Sequence, residues 1–265
     1  MSANPADRVS THETAKIVTH RTATQDSLLL REVLQSINAQ SCPKTYNFHM
    51  HTNCSDGKLT PAELMVQAVD IGLCGMAITD HHNLKGYREA QQWMEDWRWH
   101  NPSSWSRKRS ASSKSKASSK AQPRIKTLPK LWTGVEITSS LADTDVHILG
   151  YAFRPGDEGM APYLQGASPR GSDRLAVRVI QAIQAAGGIA VLAHPVRYRT
   201  DEVTLIRAAA RLGIDGVETY YAYDNPKVWR PSPEKTERVQ ALAQEHSLLS
   251  SCGTDTHGKV LTKRL

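Results

Sequence analysis

The sequence predicts an α/β fold on a parallel sheet, either rolled into a barrel or left open. Three observations lead there. Short apolar runs alternate with helical patterns from Tyr46 almost to Leu265, and 265 residues suffice to bury one sizeable core. Nearly every one of those runs also delivers a histidine or carboxylate near its end. That is how an α/β barrel builds a site, because the C-terminal ends of its strands converge on one mouth.

The elements follow in order. Residues 1–45 read as an N-terminal extension, polar and loose to about residue 25, then a short amphipathic helix over 26–39 (DSLLLREVLQSINA) stopped by Ser-Cys-Pro. Residues 46–265 read as the domain itself. Strands are expected at 46–50, 75–79, 131–137, 146–152, 189–193, 215–220 and 248–252. The clearest helix start is Thr60, with Pro61 at the first helical position and Glu63 placed to complete a capping box. Further helices are expected near 84–97, 173–186, 201–212 and 233–246. Residues 101–130 break the rhythm: rich in Ser and Lys and poor in apolar side chains, they read as a flexible surface insertion.

That insertion also explains the charge. It holds nine Lys or Arg and no acid, so removing its +9 from the net +7 leaves about −2 for the remainder. The basicity belongs to one segment, which is expected to make at most a weak, non-specific contact with nucleic-acid phosphates. No apolar run approaches the roughly 20 residues of a membrane span. The first residues lack the apolar core of a secretory signal, and Cys42, Cys54, Cys74 and Cys252 show no paired spacing. A cytoplasmic protein without disulfides and without a membrane partner is expected.

The chemistry-bearing residues fall at strand ends. His49 and His51 alternate at the end of the first strand, so both leave one face. Asp56 follows in the loop NCSDG, then Asp80-His81-His82, Glu136, His147, His194, and finally Asp255-Thr256-His257. Histidines combined with carboxylates at this density are what transition metals require.

The stretch FHMHTNCSDGKLTPAELMVQAVDIGLCGMAITDHHNLKG, with GVEIT, HILGY, LAHP and GTDTH after it, resembles the PHP (polymerase and histidinol phosphatase) domain phosphoesterases. The likeness covers roughly residues 46–258. It implies a distorted (β/α)7 barrel holding two or three divalent ions, with Mn, Zn or Fe suited to such ligands. Carried onto this chain, the ligands are His49, His51, Asp56, His81, Glu136, His147, His194, Asp255 and His257. Glu136 would bridge two ions. His49, His51 and Asp255 would complete one site, His147 and His194 a second, and Asp56, His81 and His257 a third. The spellings HTNCSDG, HILGY and AHPVRY resemble most the stand-alone enzymes acting on nucleoside 3′,5′-bisphosphates or RNA 5′ ends.

Hydrolysis of a phosphate ester by metal-activated water is the activity this implies. Asp255 is expected as ligand and proton acceptor, His257 or His82 as the acid for the leaving alcohol, and Asp80 as a group orienting a ligand histidine. Arg197, Arg170 and Arg174 are candidate phosphate clamps and Tyr198 a candidate ring for a base, with Arg197 best placed, three residues after His194. The partner is thus a phosphorylated small molecule or a nucleic-acid end. Two other readings are a small-metabolite phosphatase, such as one acting on histidinol phosphate, and a non-catalytic metal-stabilised scaffold. The full set of nine ligand residues favours catalysis.

Overall fold

The computed structural model describes residues 23–101 and 126–265. The structural reading of residues 1–22, and of most of the Ser/Lys-rich insertion, lies outside the described residues.

Among the described residues, eight strands form two sheets. In the first, β1 (Tyr46–Asn47), β2 (Gly75–Ala77) and β3 (Lys130–Trp132) run parallel. In the second, β4 (Gly134–Leu141), β5 (Thr144–Tyr151), β6 (Ile189–Leu192), β7 (Gly216–Tyr220) and β8 (Leu249–Cys252) lie in sequence order. The β6–β7 and β7–β8 pairs are parallel, but β5 is antiparallel to both neighbours. The expectation of an all-parallel sheet is therefore corrected at β5. The cause is local: Ala142 and Asp143 both take positive φ, +48° and +55°, and close a two-residue hairpin with Leu141 opposite Thr144. With no Gly or Asn at the turn, Asp143 was the one residue of the pair suited to it, and Ala142 gave no sign.

The single strand expected at 131–137 is two. β3 pairs with β2, whereas β4 begins after Thr133 and crosses to the second sheet. Backbone hydrogen bonds link the sheets at both margins. The Glu136 amide donates to Asp80 O (3.4 Å) and the His82 amide to Glu136 O (3.1 Å). At the other margin, the Phe48 amide donates to Cys252 O (3.0 Å), the Asp255 amide to His49 O (2.8 Å) and the His51 amide to Thr256 O (3.1 Å). The residues beyond β1, β2 and β8, where the ligand motifs lie, thus carry the junctions.

Among the described residues, six helices pack around the strands: α1 (Gln25–Ser36), α2 (Pro61–Ile71), α3 (Lys85–His100), α4 (Ala176–Ala185), α5 (Glu202–Arg211) and α6 (Pro233–Glu245). α2 starts as its sequence dictates, with the Glu63 amide donating to Thr60 Oγ1 (3.2 Å) and the Thr60 amide to Glu63 Oε2 (2.8 Å). α1 belongs to the core, whereas the sequence had set it apart as an extension. Leu30 and Leu34 are fully buried in one cluster with Phe48, Trp132, Tyr151 and Val191. A second cluster joins α4, α5 and α6 to the larger sheet, and a third joins α2 and α3 to the smaller one.

The basic segment meets the body where it re-enters it: Lys126 pairs with Asp70 (2.6 Å) and Lys130 with Asp26 (2.7 Å). All four cysteines are free thiols. Among the described residues, no helix is long and apolar enough to cross a membrane.

Candidate metal centre

The nine histidine and carboxylate positions converge. His49, His51, Glu136 and Asp255 form one group, Glu136, His147 and His194 a second, and His51, Asp56, His81 and His257 a third, each with ligand atoms within 4.8 Å of one another. Glu136, on β4, is the hub. Its Oε2 lies 3.1 Å from His49 Nε2 and 3.0 Å from His51 Nε2, and its Oε1 lies 2.8 Å from His147 Nδ1 and 3.4 Å from His194 Nε2. Asp255 Oδ1 stands 3.4 and 3.3 Å from the same two nitrogens of His49 and His51. Asp56 sits among His51 (3.5 Å), His81 (3.6 Å) and His257 (3.1 Å).

His51 falls in two groups, yet a neutral imidazole has one lone pair. Its Nε2 faces the two buried carboxylates, so it serves the first group and leaves Asp56, His81 and His257 to the third. The donor set fits divalent cations. His51 Nδ1 and Nε2, Glu136 Oε1 and His147 Nδ1 are all buried without a hydrogen-bond partner, although an oppositely polar atom stands close to each. Donors that crowd together without hydrogen bonding are arranged around a positive charge.

Electrostatics divides the histidines. Burial disfavours charge on His49 and His51, but Glu136, Asp255 and, for His49, Glu218 outweigh it. His49 is held well above the usual imidazole range and His51 is raised to about 9. His81 and His194 are lowered, chiefly by burial, and are ready as neutral ligands. Burial works against the charge on Asp255 and Glu136 too, and the surrounding histidines still hold both carboxyls well below their ordinary values.

The surroundings contain groups the sequence reading missed. Glu218, fully buried on β7, takes His49 Nδ1 on both oxygens (3.0 and 3.2 Å) and the His194 amide on Oε2 (2.9 Å). It fixes the His49 ring so that Nε2 points at the first group, and it pins the backbone of His194, whose φ is +26°. Its one signal was the spelling GVETY, a near copy of GVEIT. Gly253 is required beside it, because a Cβ there would stand 2.1 Å from His49 Cβ and 2.9 Å from Glu218 Oε1. Asp255 Oδ2 collects the Tyr221 hydroxyl (2.6 Å), Arg197 Nη1 (2.8 Å) and Arg264 Nε (2.8 Å).

Several expected roles change. Asp255 is no proton acceptor: one oxygen faces the ligand histidines and the other already takes three donors. His82 turns away, its Nε2 between Thr138 Oγ1 (3.1 Å) and Ser168 Oγ (3.2 Å), and it joins none of the three groups. Burial and the neighbouring His81 and His147 lower it to about 4. His257 has both nitrogens engaged, Nδ1 with Asp255 O (2.8 Å) and Nε2 with Asp56 Oδ2 (3.1 Å), which suits a ligand better than an acid. Asp80 touches no ligand histidine. It ties down the loop between His51 and Asp56, accepting from the Thr52 amide, Thr52 Oγ1 and Ser55 Oγ at 2.7 Å each.

A cavity of about 340 Å³ opens over the groups, lined by Asp56, His81, Glu136, His147, His194, Arg197, Tyr198, Asp255, His257 and Arg264. Arg197 and Tyr198 are where the sequence put them. Arg170 and Arg174 are not: Arg170 is exposed and Arg174 pairs with Asp145 (2.6 Å), and neither lines the cavity.

The model of the PHP domain family matches residues 47–249, most of the chain and all but two of the nine positions. This chain belongs to the PHP domain family. Solved structures agree on the fold. A protein of Bifidobacterium adolescentis assigned as a metal-dependent phosphoesterase shares 22% identity over 83% of this chain and 93% of its own, with a TM-score of 0.57. An amidohydrolase of Chromobacterium violaceum, solved with sulfate and no metal, shares 19% over 82% of this PHP chain and 90% of its own, at 0.60. A two-domain protein of Bacteroides vulgatus, assigned a PHP-like metal-dependent phosphoesterase domain, shares 14% at 0.51, and the match spans about half (53%) of its length. No curated protein matches the sequence.

Proposed function

We propose that this PHP chain is a metal-dependent hydrolase of phosphate esters, acting on a nucleotide such as a nucleoside 3′,5′-bisphosphate or on an oligonucleotide 5′ end. One observation carries the reading: three ligand groups, two of them joined through Glu136, open into a single cavity edged by Arg197 and Arg264. The linked sheet margins support a distorted (β/α)7 barrel with this mouth at the C-terminal ends of its strands.

The residues present would hold two or three divalent ions, with Mn, Zn or Fe all matching imidazole and carboxylate. Bound there, such ions lower the pKa of water towards ~7 and neutralise charge developing on phosphoryl oxygens. The chain supplies the remainder. Arg197 presents a guanidinium to the phosphate. Tyr198, whose hydroxyl accepts from the His147 amide (2.8 Å), keeps its proton because burial raises it well above the usual phenol range, and so can donate to a substrate oxygen. Glu218 and Asp255 hold the ligands in place.

The rest of the substrate has room. A groove of about 650 Å³ shares Asp56 and His81 with the metal cavity and runs past Ser55, Asn83, Lys85 and Gln165. That space suits a nucleoside better than a small metabolite alone. Four free thiols favour a cytoplasmic setting. Weak nucleic-acid contact by the basic insertion is a secondary proposal, supported by composition alone.

The test is phosphate release by Mn-reconstituted protein from adenosine 3′,5′-bisphosphate, histidinol phosphate and a short 5′-phosphorylated RNA. Turnover of the bisphosphate or the RNA, abolished by chelator and by Asp255→Ala, is expected. Silence on all three with metal bound would replace the enzyme by a metal-stabilised scaffold.

A further inference from the structure

His82 belongs to none of the ligand groups, and its contacts lead away from them. It is buried directly after the ligand His81, at a positive φ of +54°. Its amide donates to Glu136 O (3.1 Å), so its backbone is set by the strand that carries the hub carboxylate. Its carbonyl accepts from the Gly166 amide (2.7 Å), and its Nε2 meets Thr138 Oγ1 on β4 (3.1 Å) and Ser168 Oγ (3.2 Å). One ring nitrogen has one proton or one lone pair, so the two hydroxyls share it.

Gly166 and Ser168 lie in a strap, residues 164–170, between the 3-10 segments Glu158–Tyr163 and Gly171–Arg174. Tyr163 and Pro169 are buried and anchor its ends, whereas residues 165–168 are exposed. Among the described residues, the hydrogen bonds of residues 165–169 both end on His82. Gly166 serves by its backbone alone: its φ is +80°, and a Cβ there would meet nothing within 4 Å, so only the conformation calls for glycine. Leu164, Gln165 and Gly166 line the groove of about 650 Å³ beside the metal cavity. The rest of its lining comes from the two loops that carry Asp56 and His81. The width of that groove therefore depends on where His82 holds the strap.

We propose that His82 is a positioning residue for substrate selection: it latches the strap so that the groove admits the nucleoside part of a substrate. This rests on the phosphoesterase reading and adds to it. A residue one step along the chain from a metal ligand sets which esters are accepted and takes no part in the chemistry at the metals. A strap held in advance need not be ordered at the moment of binding, so the effect falls on affinity for larger substrates. An ester too small to leave the metal cavity gains nothing from it.

The experiment compares adenosine 3′,5′-bisphosphate with phenyl phosphate as substrates of the Mn-loaded full chain, in wild type, Ser168→Ala, His82→Asn and the double variant. Asn tolerates the left-handed backbone at position 82. Ser168→Ala leaves His82 and the metal loops untouched, so it decides alone if His82→Asn folds badly. Loss of the hydrogen bond is expected to raise KM for the bisphosphate about three- to tenfold. Metal content, kcat and phenyl phosphate kinetics should change little. The double variant is expected to be no worse than His82→Asn alone, because both changes cut the same contact. Hydrogen exchange of the peptide spanning residues 164–170 should quicken in each variant. Equal losses on both substrates, losses that add in the double variant, or reduced metal content would make His82 a brace for His81 and overturn the proposal, as would an unchanged KM. If wild type cleaves neither ester, the phosphoesterase reading fails by itself. Calorimetric titration of the bisphosphate into Mn-loaded protein then decides: weaker binding in Ser168→Ala supports the latch, and equal or absent binding overturns it.

Discussion

At the residue scale, the site is a set of charges that restrain one another, and Glu218 shows how far that restraint extends. Its carboxylate holds the ring of one ligand, His49, and the backbone of another, His194. Partners of this kind are worth about 10–100-fold in metal affinity. Glu218→Gln should retain an acceptor and lose part of that factor, while Glu218→Ala loses all of it, as read from metal content after dialysis against graded chelator. Unchanged affinity in both variants would reduce Glu218 to packing. The raised histidines give a second expectation. A folded pKa of about 9 for His51, against an ordinary value near 6.5, means that its protonated form stabilises the metal-free protein below about pH 6.5, a contribution lost as pH rises towards 9. Metal must displace that proton, so affinity should increase with pH across this window. Calorimetry at pH 7.5 in two buffers of different ionisation enthalpy should reveal the released proton, and heats independent of buffer would contradict it.

At the scale of elements, strand ends hold ligands and loops hold strand ends. Asp80 is the clearest case. By gripping Thr52 and Ser55 it sets the path of the loop that carries Asp56, and Gly86 at the start of α3 leaves it room. A Cβ at Gly86 would stand 2.0 Å from Asp80 Oδ2 and 2.7 Å from Thr52 Oγ1. Gly86→Ala should therefore unseat this loop, costing about 1–3 kcal/mol of stability and weakening the third ligand group before the first. Thermal melts and metal stoichiometry would check this, and a variant with wild-type values in both would refute it. The same scale shows what the sequence revealed. The nine ligand positions were legible because each lies in a short motif, most of them at or just beyond a strand end and only Glu136 and His147 inside their strands, β4 and β5. Asp80 lay in such a motif too, but its partners are 25 and 28 residues away and its role emerged only in the fold. Glu218, Tyr221 and Arg264 lay in no recognised motif and become functional only by meeting Asp255 or His49 across the molecule. The β4–β5 hairpin was hidden for another reason, since Asp143 suits a turn with positive φ but Ala142 beside it does not, and no Gly or Asn marks the pair.

At the scale of the whole molecule, the ligands connect parts of the chain that the backbone connects sparsely. Glu136 belongs to the second sheet, His49 and His51 follow the first strand of the first sheet, and Asp255 follows the last strand of the second. The margins between the sheets hold by a handful of backbone hydrogen bonds, and the first ligand group sits across one of them. Without a cation, three buried carboxylates (Glu136, Glu218 and Asp255) crowd this region, and the histidines must take up protons to offset them. Cations bound to the folded state alone should therefore stabilise the entire domain. At free metal about 100 times Kd, one site contributes roughly 2.7 kcal/mol. For a domain of this size that corresponds to a rise of about 5–10 °C in the unfolding midpoint. Scanning calorimetry of Mn-loaded and chelated protein should show it as a single cooperative transition moving as one, because the ligands span both sheets. A metal-dependent shift confined to one of two separate transitions would mean that the sheets unfold independently, and no shift at all would mean that the nine residues do not assemble a metal centre.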